Sequence, residues 1–410
     1  MRISSKKRVI GIALLTAVAV MGDAMLFIVL PLYWEDFGLT ALWQIGVLLS
    51  VNRFVRLPLN PLVGLFYKHF QVRTGVFIAV GLACLTTMSY GILQDFWLLL
   101  LVRALWGVAW SLLRLGGYLT VIEAADDSNR GRFVGLYNGL WGIGGLIGML
   151  AGGILVDYTS VSFVTVLFAL FALVAFPLVW LLVPVKAPEK KEQQQSQQYT
   201  SWFTSRVALV LLTSLGMGFI VFGLFASTLS PLIERSYKAD WTGAQITIGA
   251  ATLAGVIQAV RWGWDPFVAP WIGKCLDRST SKIRLLLIPL FSGSILLFLL
   301  GYIQSLFLLF LLLLVFQFTS TFFVTTTDTF ATEVASQSNR VKVITAHTIA
   351  VDLGAALGPL VAFYLLEFYS ISIVYFLAAS FLMLLGFMWL YQLCRNAQKD
   401  VTLHRETRVK

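Results

Sequence analysis

Twelve apolar runs, separated by short polar breaks, organise the chain, lying near 9–32, 41–66, 74–92, 96–122, 131–157, 161–184, 206–232, 242–274, 284–302, 304–332, 341–366 and 370–393. At about 1.5 Å per residue, a helix of this length crosses a hydrocarbon core of ~30 Å. Each run therefore predicts a transmembrane helix, and the chain an all-α, polytopic membrane protein. The first run follows Arg2, Lys6, Lys7 and Arg8 as a signal peptide would. It has no small-residue cleavage site and is read as a retained first helix.

The pattern is also duplicated. Ser128-Asn129-Arg130 recurs as Ser338-Asn339-Arg340, 210 residues later, each copy shortly after a glutamate, Glu123 or Glu333. The stretch from Gly64 to Arg73 corresponds to that from Gly273 to Lys282 at an offset of 209, and Pro61 and Pro270 precede the two copies. A period this long in an apolar chain predicts two homologous six-helix bundles. They are expected over residues 1–185 and 206–394, joined by a polar linker at 186–205 and followed by a tail at 395–410.

Composition agrees with a bilayer, since 58% of residues are hydrophobic, 12% are charged and the mean hydropathy is +0.84. The placement of charge then sets orientation. With the N-terminus inside, 23 of the 30 lysines and arginines fall in the tails, the linker and the loops on that side, whereas only Arg235 and Lys238 fall opposite. Both termini are expected in the cytoplasm, with the chain spanning the plasma membrane. Topology thus accounts for the pI of about 9.6, and a nucleic-acid partner is not needed. Cys84, Cys275 and Cys394 offer neither a disulfide framework nor metal-ligand spacing. No nucleophile elbow, histidine cluster or phosphate-binding loop points to an enzyme, and no cofactor or metal is expected.

Twelve helices, a six-plus-six repeat and paired loop signatures resemble the major facilitator superfamily over nearly the whole chain. Gly273, Asp277, Arg278 and Lys282 fall at the positions of that family's loop signature, while the first copy keeps Gly64 and Arg73 and places Lys68 where aspartate is usual. With Glu123, Arg130, Glu333 and Arg340, these residues are the expected cytoplasmic gate; the same charges serve equally well to enforce topology. Arg103 and Gly107 resemble the family's arginine motif on helix 4, with Trp106 in place of its glutamine. Gly144, Gly148, Gly152 and Gly153 resemble the glycine motif of its antiporters, although Met149 stands where those have proline. The resemblance implies a proton-coupled transporter working as a monomer, closest to the drug and proton exchangers.

Ionisable residues inside the helices carry the chemistry. An arginine facing lipid at the midplane costs about 2.5–3.5 kcal/mol, so Arg53, Arg56, Arg103 and Arg114 together approach the stability of a whole domain. They must face a partner or a wet cavity, in a functional or a purely structural pair. Depth along helices 1 and 4 places Asp23 and Arg103 within reach of each other. With Asp352 on helix 11, they are the candidate proton-coupling residues. Arg53 and Arg56 share one face of helix 2, and Arg261 and Asp265 sit one turn apart on helix 8, spaced to pair with each other. Trp106, Trp110 and Arg114 continue a stripe along helix 4, and Trp141, Gln258 and Gln317 complete the candidate cavity. The expected function is proton-coupled export of a small amphipathic or anionic molecule. Uptake of an organic anion by proton symport, or a non-transporting sensor or scaffold, are the alternatives.

Overall fold

A backbone in hydrocarbon finds no water to bond, so its N–H and C=O groups must pair within the segment, and each apolar run is wound as a helix. A computed structural model of the protein describes residues 5–124, 130–183, 204–236, 249–279, 281–336 and 338–409. The helices are α1 (Ser5–Val29), α2 (Leu42–His69), α3 (Val72–Tyr90), α4 (Phe96–Ala124), α5 (Arg130–Tyr158) and α6 (Val161–Leu182). The second half holds α7 (Ser205–Ser236), α8 (Ala250–Arg278), α9 (Lys282–Tyr302), α10 (Leu306–Ser336), α11 (Arg340–Phe368) and α12 (Ile371–Val409). These are the twelve spans of the hydropathy pattern in two six-helix bundles. The expected linker lies outside the described residues except at its last two positions. Helix α12 continues past the expected span into the tail.

Within α7, Gly218–Phe225 is wound as a π-helix between two α-helical segments. Capping follows the local sequence: the side chains of Ser160, Thr204 and Asn339 accept from the backbone N–H groups of Phe163, Val207 and Lys342. Counting the described residues alone, ten of the twelve helices are apolar enough by length and composition to cross a membrane. The two that fall short, α2 and α8, carry Arg53, Arg56, Arg261 and Asp265, so the duplicated pair that departs from a lipid-compatible composition is the pair bearing the candidate site.

Small residues set the packing inside each bundle. A Cβ on Gly144, Gly148 or Gly152 would lie 2.1 Å from the Ala17 oxygen, 2.4 Å from the Met21 oxygen or 2.5 Å from Met25 Cγ, so α5 lies backbone-to-backbone on α1. The second bundle repeats this. A Cβ on Gly354 would meet the Leu215 oxygen at 2.0 Å and one on Gly358 the Leu224 nitrogen at 2.4 Å, which seats α11 on α7. The helix 5 glycines therefore serve close packing. Large apolar side chains such as Trp97, Phe267 and Phe307 point outward, as lipid-facing positions require.

The bundles meet along α2 with α11 and α5 with α8. These seams are tight toward the face opposite the termini: a Cβ on Gly46 would sit 2.7 Å from the Pro359 oxygen, and one on Gly153 2.4 Å from the Ala251 oxygen. Toward the face that carries the termini, a Cβ on Gly64, Gly135, Gly139 or Gly273 would meet nothing within 4 Å. The bundles are thus closed at one face and parted at the other.

This packing makes a paired prediction for thermal unfolding in detergent micelles. Gly148→Leu should destabilise by about 1–3 kcal/mol or more through overpacking against Met21. Gly64→Ala, entering open space in a helix interior, should be neutral or stabilising by up to about 1 kcal/mol. Equal effects at the two sites would refute this account.

Candidate functional site

The polar residues of α1, α2 and α4 meet first. Arg103 is 1% exposed; its Nη1 donates to Asp23 Oδ1, its Nε donates to the Leu48 carbonyl at 2.9 Å, and its guanidinium lies 5.9 Å from the Tyr90 ring centroid. Asn52 Nδ2 donates to the same Asp23 oxygen at 3.4 Å. Asp23 thus ties three helices of the first bundle together. Burial pays nothing here unless the charges stay matched, because breaking one partner of such a pair leaves an uncompensated charge.

The second pair crosses between the bundles. Arg56 on α2 reaches Asp352 on α11 at 3.5 Å, with both side chains 10% exposed and Arg56 Nε left without a partner. One turn away, Arg53 Nη2 donates to the Phe222 carbonyl at 3.4 Å and its guanidinium lies 5.9 Å from the Phe27 ring. Phe222 belongs to the π-helical stretch of α7, where widened backbone pairing re-aims carbonyls and which often marks functional sites. From the other side, Arg261 on α8 lies 5.3 Å from the Phe222 ring and 3.8 Å from Asp265, whose carboxylate also accepts from the Thr321 hydroxyl. Arg114 on α4 is partly exposed and makes no hydrogen bond or ion pair among the described residues.

Five arginines therefore face three carboxylates, Asp23, Asp265 and Asp352, and the surplus is positive at Arg53 and Arg114. Beside them, tryptophans from three helices and both bundles form a chain: Trp110 and Trp141 are 5.1 Å apart between ring centroids, and Trp141 and Trp262 6.0 Å. Trp141 Nε1 donates to Asn138 at 3.1 Å, while Trp110 Nε1 is buried without an acceptor. A cationic wall next to a tryptophan shelf suits an anion that carries a flat or apolar body. No cluster of three or more His, Cys, Asp or Glu capable of holding a metal occurs among the described residues.

Several sequence-based assignments change. Trp106 is 2% exposed and packs in the first bundle's core, turned off the stripe that Trp110 and Arg114 share. Gln258 and Gln317 are buried against each other between α8 and α10, Gln317 donating to Gln258 at 3.1 Å, so their amides are engaged with one another. Of the signature residues, Arg73, Lys282 and Glu333 make contacts inside their own bundle. Arg73 donates to the Val183 carbonyl at 2.6 Å, and Glu333 receives Lys282 and Arg206 at 2.9 Å each. Glu123 and Arg278 are exposed, Gly64 and Gly273 adjoin open space, and the side chains of Arg130, Asp277 and Arg340 lie outside the described residues.

The sequence reading missed Asn52, the Phe222 carbonyl and Thr321. Asn52, an amide within an apolar run and beside Arg53, carried the one local signal. It also passed over His347, which lies 3.2 Å from Asp328 and 2.8 Å from the Ser214 hydroxyl, because histidine spacing along the chain says nothing about contacts between α7, α10 and α11. An apolar groove on the exterior of α9 and α12, lined by Ser294, Phe298, Phe376 and Met383, is remote from these charges.

Comparison with known proteins places this geometry. The family model described as Major Facilitator Superfamily matches residues 12–264 and 266–408. The MFS-type transporter olcL of Penicillium canescens is 25% identical over 192 residues, which is 46% of this chain and 33% of that protein. The multidrug resistance protein MdtG of Klebsiella pneumoniae (strain 342) is 26% identical over 300 residues, 67% of this chain and 66% of that one. The matches thus span a third of one relative and about two thirds of the other. Among solved structures, the nucleoside transporter NupG superposes with a TM-score of 0.75 at 15% identity, covering 95% of this chain and 99% of that one. A bacterial homolog of the human lysosomal transporter Spinster gives 0.72 at 13%, with the same coverage. At such identities the structural likeness concerns the fold alone.

The Asp23–Arg103 pair should behave as a coupled unit. Asp23→Ala or Arg103→Ala alone should cost about 3–5 kcal/mol of stability. The double variant should cost less than their sum by about 0.5–3 kcal/mol in a double-mutant cycle of detergent-phase melting. Additive losses would mean that the pair is not formed.

Proposed function

Because this chain belongs to the Major Facilitator Superfamily, we propose that it carries a small organic anion across the membrane together with a proton, by exposing the site between its bundles to each side in turn. The observation that carries the reading is the Arg56–Asp352 pair spanning the two bundles, beside Arg53 and Arg114, which have no carboxylate partner among the described residues. A proton on Asp352 cancels its hold on Arg56 and frees that guanidinium for a substrate carboxylate or phosphate. By reciprocity, an anion on Arg56 favours the proton on Asp352. Proton and anion therefore load together, and neutralising both relaxes the tie between α2 and α11 so that the bundles can rock. Arg53 and Arg114 supply the remaining field, while Trp110, Trp141 and Trp262 take the apolar body of the solute. Asp23 and Arg103 orient α1, α2 and α4 around it.

The distribution of positive residues supports a terminus-bearing face in the cytoplasm, and the protein is taken as a plasma-membrane monomer with bundles at 1–185 and 206–394. In that orientation the structure is open inward, and co-movement with protons gives uptake. A second reading, export of an amphipathic compound with Asp23 as its proton carrier, is favoured by the likeness to a relative named for multidrug resistance.

Flux in proteoliposomes under an imposed pH gradient separates them. With labelled 1-naphthoate, its neutral amide and tetraphenylphosphonium as probes, symport predicts anion accumulation driven toward the alkaline side. Asp352→Asn should abolish the proton dependence yet retain exchange of anion for anion. Arg56→Gln should weaken anion binding about tenfold to a hundredfold, the worth of a charge-assisted hydrogen bond. Anion or cation movement toward the acid side would instead select export, and movement of the cation alone would sink the anion reading.

A further inference from the structure

At the face opposite the termini, two carboxylates each cross from one bundle to the other and end on a helix N-terminus. Asp157, at the end of α5, accepts from the Thr252 backbone N–H at 2.8 Å and from its hydroxyl at 2.6 Å, in the first turn of α8. Glu367, at the end of α11, accepts from the Leu42 N–H at 2.9 Å and the Trp43 N–H at 3.4 Å, which open α2. The correspondence is internal to the sequence. Glu367 is Asp157 plus 210, the offset at which the Ser-Asn-Arg signature repeats, and Thr252 is Trp43 plus 209, the offset of the Gly64 and Gly273 copies in the same two helices.

We propose that Asp157 and Glu367 are a symmetry-related pair of exchanged helix caps that clasp the bundles together at this face, and that their release is required for it to open. The physical basis is the unpaired N–H groups and positive end of a helix, which a carboxylate satisfies. A cap normally comes from the residue preceding its own helix. Here the donors at Leu42, Trp43 and Thr252 are served from the opposite bundle, so separating the bundles strips both helices of their caps at once. Helix α2 shows the division plainly: its own Gln44 side chain accepts from Thr40 and Ala41 at 2.8 and 3.3 Å, leaving the next two N–H groups to Glu367.

The two clasps are unequal. Asp157 receives a third donor, the Tyr33 hydroxyl at 2.8 Å, and burial followed by the Asp157 hydrogen bond raises that phenol's pKa. Among the described residues, Glu367 has only its two backbone donors. Asp157 is also packed in, since a Cβ on Gly249 would come within 2.2 Å of its carboxyl carbon. Asp157 is therefore the stronger clasp.

The meaning of the clasps for transport rests on the alternating-access reading, but the test needs neither substrate nor proton gradient. The protein, with Cys84, Cys275 and Cys394 replaced, would carry spin labels at Ile92→Cys and Ser370→Cys, exposed positions at this face on opposite bundles, and be measured in nanodiscs. Distance distributions by double electron–electron resonance should show a short population in the parent. Asp157→Ala should raise the ratio of long to short distances roughly twofold to thirtyfold, the range of a lost cap, and Glu367→Ala should do so by less. The double variant should show about the product, because the clasps lie on separate helix pairs. Should the alanine variants fail to fold, Asp157→Asn and Gly249→Ala, which remove charge or wedge the carboxylate away, should shift the population in the same direction. An unchanged distribution in folded Asp157 variants, or a larger shift for Glu367→Ala, would overturn the proposal. Clasp variants that open this face without any anion flux in the parent would retain the clasps and dismiss the transport reading alone.

Discussion

A guanidinium surrounded by hydrocarbon seeks an acceptor, and the arrangement of this molecule follows from how four of its five membrane arginines find one. Arg103 finds Asp23 within its own bundle and so fixes α1, α2 and α4 relative to one another. Arg261 finds Asp265 on its own helix and needs no neighbour for the purpose. Among the described residues Arg56 finds its hydrogen-bond partner only across the interface, in Asp352, and Arg53 only in a carbonyl of the π-helical segment of the other bundle. The same electrostatic demand thus yields a rigid brace inside one bundle and a breakable tie between the two. A tie that spans the interface between bundles is weakened by any change of charge at either of its two ends.

Duplication explains the frame, and divergence explains the chemistry. Glycines seat α5 on α1 and, 210 residues on, α11 on α7, so the bundles share an internal scaffold of close backbone contacts. At the midplane the copies part company: Asp265 occupies the position that corresponds to Arg56, and the first bundle is rich in arginine where the second is rich in aspartate. Complementary charge across the interface can arise only because the repeats have ceased to be identical. At the face opposite the termini they remain alike, and Asp157 and Glu367 reach the partner bundle in the same manner.

The loop signatures show how conformation decides what a motif does. Here Lys282 and Arg206 converge on Glu333 within the second bundle, and Arg73 holds the Val183 carbonyl at the end of α6 within the first. With the bundles parted at this face, charges able to pair across it satisfy themselves locally.

Span number, the twofold repeat and the presence of charges needing partners were determined by sequence alone, because hydropathy over some 20 residues, an offset near 210 and the cost of a bare ion in lipid are properties of the linear chain. Proximity of Asp23 to Arg103 was legible for the same reason, since depth along two helices is a count of residues. Which side of a helix faces a cavity was not. Trp106 and Trp110 belong to one stripe by spacing, yet one is core and the other lies at the site, because a rotation of a few tens of degrees set by packing separates them. Tertiary structure alone decided that Arg56 meets Asp352, that Phe222 offers a carbonyl to Arg53 and that Asp157 caps a helix of the other bundle. Each of these contacts joins segments far apart in the chain, and only the docking of one bundle on the other brings them within the few ångströms over which a hydrogen bond acts.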